Sequence, residues 1–210
     1  AAINGTCMGG ATELALACHA RIAAEGDVFK MALPEVKVGL FPGAGGTQRV
    51  MRMADAQQGL QFLLQGRTLN ADKAKGLKLV DATAPAKKLV AEARKMLKTG
   101  VDPVKPWDKK GFKLPNGPIY SPAGFQFWPA ANAIYRRETH DNYPGARGIM
   151  QSVYEGLQMP MDQALTVESR YFAHVLQTPE AASMIRSLFV SMQELNKGAR
   201  RPASVKPNRI

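Results

Sequence analysis

Cysteine is nearly absent from these 210 residues, with Cys7 and Cys18 the only two. Two thiols cannot supply the disulfide framework of a small secreted scaffold, and such sparse use fits a reducing compartment. There is no Cys-x-x-Cys pair, and His19, His140 and His174 stand at no ligand spacing from the cysteines, so no metal site is expected. Aromatics make up only 7% of the chain. No apolar run approaches the roughly 18–20 residues that a membrane-spanning helix needs, so no membrane span is expected. Ser121 and Ser204 lie in proline-flanked stretches without a nucleophile elbow, which leaves serine hydrolysis unsupported. Acidic residues are also scarce: 17 Asp+Glu against 28 Lys+Arg leave a formal net charge of +11. That excess permits nucleic acid, an anionic surface or an anionic small ligand. Trp107 and Trp128 near Lys105, Lys109, Lys110 and Lys113 have a basic–aromatic character, but no reader motif accompanies them. Nucleic acid is therefore not expected as a partner.

What remains is an ordinary globular composition, 45% hydrophobic, with a mean hydropathy of -0.21 and length enough for a buried core. The chain opens at Ala1-Ala2-Ile3-Asn4-Gly5, without Met and without the regions of a signal peptide, and is expected to be a piece of a longer protein. Residues 1–98 alternate short helical and extended patterns, the mark of an α/β unit. Helices are predicted over residues 10–18, 47–53, 56–64, 71–75 and 86–97, and a strand over 21–24. Asn70 reads as the N-cap of the 71–75 helix. From residue 99 to 125, Pro103, Pro106, Pro115, Pro118 and Pro122 with Gly111 and Gly117 predict an irregular connector. Residues 126–196 then form a helical module of three amphipathic segments. The last carries Ala181, Met184, Ile185, Leu188, Phe189, Met192 and Leu195 on one face and is opened by Thr178 as N-cap with Pro179 after it. Residues 197–210 hold Lys197, Arg200, Arg201, Lys206 and Arg209 with no acid, and read as a basic interdomain linker.

Chemistry concentrates near the N-terminus. Gly9-Gly10 permits a tight turn opening a helix, whose first N–H groups can hold an anion or a developing oxyanion. Glu13 follows in the first turn. The same residues also fit a glycine-assisted helix start with a dipole-favoured glutamate. Glu35 follows Pro34 among mostly apolar neighbours, an extended approach after one helix and one returning strand. Two carboxylates in unlike surroundings suit one acid and one base. A surface glutamate in a turn fits the same spacing. Pro42-Gly43-Ala44-Gly45-Gly46-Thr47 opens another helix but matches neither the Walker pattern nor the dinucleotide fingerprint, and reads as a close-approach loop.

Taken together, the runs Ala2-Ile3-Asn4-Gly5, Gly9-Gly10, Glu13-Leu14-Ala15, Pro34-Glu35-Val36, Gly39-Leu40 and Pro42-Gly43-Ala44-Gly45-Gly46-Thr47-Gln48-Arg49 closely resemble the crotonase (enoyl-CoA hydratase/isomerase) family. The stretch from Gly66 to Leu77, followed by Leu79-Val80-Asp81, fits as well. The resemblance implies the C-terminal part of a crotonase-type ββα spiral over residues 1–98, an α/β fold followed by the helices. It implies hydration of 2-enoyl-CoA, with Gly10 as one oxyanion donor, Gly9 and Gly43 as substrate-binding neighbours, Glu13 on the attacking water and Glu35 at the α-carbon. Ala11 stands where many relatives have a third glycine. The second oxyanion donor lies upstream in the family, so these residues alone are expected to be inactive.

The region past residue 98 looks like the multifunctional members of that family that act in fatty acid β-oxidation. The expected partners are then an acyl-CoA thioester, a dehydrogenase domain in cis, a thiolase subunit and further copies in an oligomer. No cofactor is expected in this region, with NAD confined to a following dehydrogenase domain. The implied setting is the bacterial cytoplasm or the mitochondrial matrix. The alternative is a Δ3-Δ2-enoyl-CoA isomerase or other crotonase chemistry, or a non-catalytic scaffold on whose helices a dehydrogenase domain or thiolase subunit docks.

Overall fold

The computed structural model describes residues 1–199; most of the basic linker lies outside the described residues. Short strands alternate between two parallel sheets. β1 (Ala2–Ile3), β3 (Ile22–Ala24) and β5 (Ala82–Ala84) form one, in the order β1-β3-β5. β2 (Thr6–Met8) and β4 (Lys30–Ala32) form the other. Ala2 pairs with Ile22 and Ile22 with Ala82, while Cys7 pairs with Met31. Each of the first two strand pairs thus adds one strand to each sheet, and the chain climbs as a spiral. Parallel pairing demands a crossover between neighbours. The first is α1 (Gly10–Ala17), whose Ala- and Leu-rich sequence has good helix propensity and buries Ala15 and Leu16. Thr12 fixes it: its hydroxyl lies 2.7 Å from the Cys7 carbonyl and 2.9 Å from that of Ala32, tying α1 to both β2 and β4.

Three further helices cover the spiral: α2 (Gly46–Met53), α3 (Ala56–Gln65) and α4 (Ala71–Gly76). Asp55 caps α3 by accepting from the N–H groups of Gln57 and Gln58, and Asn70 caps α4 by accepting from Lys73. α5 (Leu89–Lys98) follows a 3-10 turn over Ala86–Lys88. The connector is irregular, as its prolines predict, and Asn116 pins it to α3 by accepting from the Ala56 N–H and donating to Asp55.

The connector ends before residue 125, because α6 (Pro122–Thr139) begins inside it. Ser121 caps that helix from the Gly124 N–H and Pro122 takes its first position, where no N–H is needed. Pro129 inside the helix and its largely exposed surface hid α6 from periodicity. The three expected segments follow as α7 (Pro144–Gly156), α8 (Met161–Leu176) and a divided last helix. The last is α9 (Pro179–Met184), a π-helical stretch Ile185–Ser191 and α10 (Met192–Asn196). Thr178 caps it as predicted, accepting from Ala181. Its apolar stripe is only partly covered: Leu188, Phe189, Met192 and Leu195 each remain about half exposed.

A single large core joins these parts. Phe29, Phe41, Phe62, Leu63 and Leu69 of the spiral lie in one cluster with Ile149, Val153 and Val175 of the helices. Burying each such side chain contributes roughly 1.5–3 kcal/mol. Among the described residues no helix is long and apolar enough to cross a membrane.

Candidate active site

Gly9 stands at the mouth of α1 with φ +58, a left-handed conformation that costs a side-chain-bearing residue energy. Its N–H donates to the Ala32 carbonyl at 2.9 Å, so that donor holds the turn against β4. Gly10 is the first residue of α1 and exposed, its N–H lying before the helical ladder begins. One turn on, Glu13 is buried, 4% exposed.

Glu35 approaches the same turn from another direction. It sits in a 3-10 turn, Pro34–Val38, with Pro34 at its first position. Two strands, β3 and β4, come between α1 and that turn, where the sequence suggested one returning strand; β4 is the one that leads into it. A Cβ built on Gly9 would lie 2.9 Å from Glu35 Oε1, so the missing side chain is the space this carboxyl uses. Glu35 Oε2 is buried and has no hydrogen-bond partner among the described residues. Burial pushes the Glu35 carboxyl up to about 7, against a hydrogen bond from its own backbone; the charges of Glu13 and Glu168 add to the rise.

The glycine-rich loop supplies the third side of the site. Phe41 is buried in the core, and the Phe172 ring packs edge-on to it with centroids 5.7 Å apart. Gly43 lies under that Phe172 ring: a Cβ there would come 2.6 Å from it. Gly45 has φ +94, which turns the chain into α2. The N–H groups of this turn face two carboxylates in strict alternation. Ala44 and Gly46 each donate to Glu13 Oε1 at 2.8 Å. Gly45 donates to Glu168 Oε1 and Thr47 to Glu168 Oε2, at 2.5 and 3.1 Å. The Thr47 hydroxyl also contacts Glu168 Oε2. Negative groups are favoured at this end of a helix, where unpaired N–H donors and the helix dipole act together.

Glu168, on α8 and 1% exposed, is the residue that sequence reasoning missed. Burial pushes its carboxyl up to about 7, with hydrogen bonds from Thr47 and Gly45 opposing and the Glu13 charge adding. A buried polar network continues from it. Thr47 Oγ1 lies 3.2 Å from Ser152 Oγ, and Gln48 Nε2 donates to the Ser152 carbonyl at 2.8 Å. Arg52 donates to Gln48 Oε1 and to the Gly156 and Met159 carbonyls, and burial lowers it to about 10. Every member has partners, the condition under which such a network adds rigidity.

Glu13, Glu35, Gly9 and Gly10 therefore gather at one turn, and Gly43 lies on the adjoining loop. The arrangement offers one carboxylate fixed by two N–H donors, one carboxyl whose charge is disfavoured, and a helix N-terminus between sheets. Among the described residues, no three His, Cys, Asp or Glu side chains gather as a metal cluster.

Similarity to known proteins bears on the family and the fold. The enoyl-CoA hydratase/isomerase family profile matches residues 1–104. The fatty acid oxidation complex subunit alpha of Vibrio vulnificus is 36% identical over 212 residues, covering all of this chain and 29% of that protein. Its counterpart in Shewanella amazonensis is 36% identical over 200 residues, covering 94% of this chain and 28% of its own length. The chain thus spans less than a third of these curated relatives. A solved carnitinyl-CoA hydratase from Mycobacterium avium shares the fold, with a TM-score of 0.57 and 22% identity over 90% of this chain and 59% of that one.

Proposed function

Through residues 1–104 the chain belongs to the enoyl-CoA hydratase/isomerase family, and on that premise we propose that it supplies the two catalytic carboxylates of a 2-enoyl-CoA hydratase. One observation carries the reading: Glu13 and Glu35 meet at a single turn in opposite surroundings, one fixed by two N–H donors, the other desolvated with Oε2 unpartnered. Water adds syn across the 2,3 double bond. Glu13 orients the water and takes its proton as the oxygen bonds to the β-carbon. Glu35, poised near neutrality, gives its proton to the α-carbon. Negative charge gathers meanwhile on the thioester oxygen. The Gly10 N–H and a second donor receive it, at a gain of roughly 3–4 kcal/mol per donor in comparable sites. Having two carboxylates favours hydration over isomerisation, for which one proton-carrying group suffices.

The curated relatives are alpha subunits of a fatty acid oxidation complex, which supports a place within a larger assembly. The proposed partners there are a dehydrogenase domain in cis and a thiolase subunit. They are bacterial, which favours a bacterial over a mitochondrial setting. No step assigned to this region needs a cofactor. The test is hydration of crotonyl-CoA by the natural full-length protein. Glu13→Gln and Glu35→Gln should each lower the rate by at least ~100-fold, and unchanged hydration in both would overturn the assignment.

A further inference from the structure

The site holds a third carboxylate with no part in that chemistry. Glu168 presents both oxygens to the loop, and among the described residues all of its hydrogen-bond partners belong to Gly45 and Thr47. Those two residues alternate with Ala44 and Gly46, whose N–H groups fix Glu13 Oε1. Peptide planes 44 to 47 are covalently linked, so rotating the Gly45 or Thr47 N–H turns its neighbours as well. Two positions of the loop are soft in a free chain, Gly45 being left-handed and Gly43 lacking a Cβ. Arg49 holds the Ala44 and Gly45 carbonyls, which leaves the two carboxylates as the acceptors for the N–H groups of residues 44–47. We infer that Glu168 is a positioning residue for Glu13, by which the helical module sets the aim of the catalytic carboxylate through the alternating N–H groups of residues 44–47. The inference rests on the hydratase reading.

Glu168→Gln in the natural full-length protein keeps the size of the side chain. It replaces one acceptor oxygen with an amide that cannot receive a backbone N–H. The expected result is a fall in kcat of about 10–100-fold with KM changed less than about threefold, because the orientation of Glu13 is the main thing disturbed; loss of the Glu168 charge, a minor cause of the rise at Glu35, is common to both backgrounds. In a Glu13→Gln background the same change should cost less than about twofold, since no catalytic carboxylate is left to position. Thr47→Ala, which removes only the hydroxyl donor, should move kcat the same way by a few fold and carries the comparison if Glu168→Gln does not fold. Ser152→Ala disturbs the same network beyond Thr47 and should leave kcat within about twofold at an equal loss of thermal stability.

A folded Glu168→Gln protein with parental kcat overturns the inference. So does a kcat loss that persists undiminished in the Glu13→Gln background or is matched by Ser152→Ala. A Glu13→Gln protein that hydrates like the parent overturns the role of Glu13 and this inference with it; the hydratase reading itself falls if Glu35→Gln hydrates like the parent as well. If instead Glu13→Gln is inactive and Glu168→Gln is unaffected, only the positioning role falls.

Discussion

Gly9 forms the wall of the Glu35 carboxyl: a side chain of even one carbon at Gly9 would stand 2.9 Å from Oε1. The turn that opens α1 therefore does two things, presenting the Gly10 N–H and shutting water away from one face of Glu35. The first of these serves an oxyanion. The second leaves a buried carboxyl without a partner for Oε2, an arrangement that costs stability when the group is charged.

Replacing Glu35 should accordingly stabilise the chain at high pH while destroying hydration. The folded carboxyl titrates near 7, above its ordinary value of 4.5. Between those values the folded state holds a proton that the unfolded state has released, so stability falls as pH rises through the window. Glu35→Gln removes that loss. Its thermal midpoint should match the parent near pH 4.5 and exceed it by roughly 5–10 °C at pH 8, as followed by calorimetry at both values. Glu168 titrates over the same window, so some decline with pH should persist in the variant.

Gly46→Ala tests close approach without backbone strain, since Gly46 has no positive φ. The added Cβ would lie 2.7 Å from Glu13 Oε1 and 2.7 Å from the Pro42 Cβ. Alanine is otherwise the better helix former, so propensity opposes the expected loss. A cost of about 1–3 kcal/mol from overpacking should still appear in urea unfolding. The hydration kcat should drop by about 10–100-fold as Glu13 is pushed from its donors.

At Gly156 the crowding involves the polar network alone. A Cβ there would meet Gln48 Oε1 at 2.3 Å, and Gln48 bridges Ser152 and Arg52. Gly156→Ala should destabilise the chain by about 1–3 kcal/mol, visible as a lower urea midpoint with an unchanged slope. Restoration by Gln48→Ala, which clears the space, would identify the clash as the cause.

Much of this site was legible in the sequence because its signals are local. Gly9-Gly10, Glu13 and Pro34-Glu35 are short runs whose backbone demands can be read one at a time. The caps at Asn70 and Thr178 were equally visible. Glu168 was not, because its partners lie 121 and 123 positions earlier and α8 reads as an ordinary amphipathic helix around it. A glutamate on the apolar side of such a helix, between Val167 and Phe172, was the one available hint. α6 escaped because Pro122 and Pro129 resemble the prolines of the connector before it. The partial exposure of Leu188 and Phe189 was beyond periodicity, which says which residues share a face but not what covers it.

The alternating grip on residues 44–47 bears on where this chain can be divided. The family profile ends at residue 104, and a sequence-based boundary would cut there. Such a cut would leave the Gly45 and Thr47 amides at the start of α2 without acceptors and bare the Phe41 side of the core. The family profile thus stops short of the packed unit: the helices after the connector share one buried core with the spiral and hold the loop that fixes Glu13.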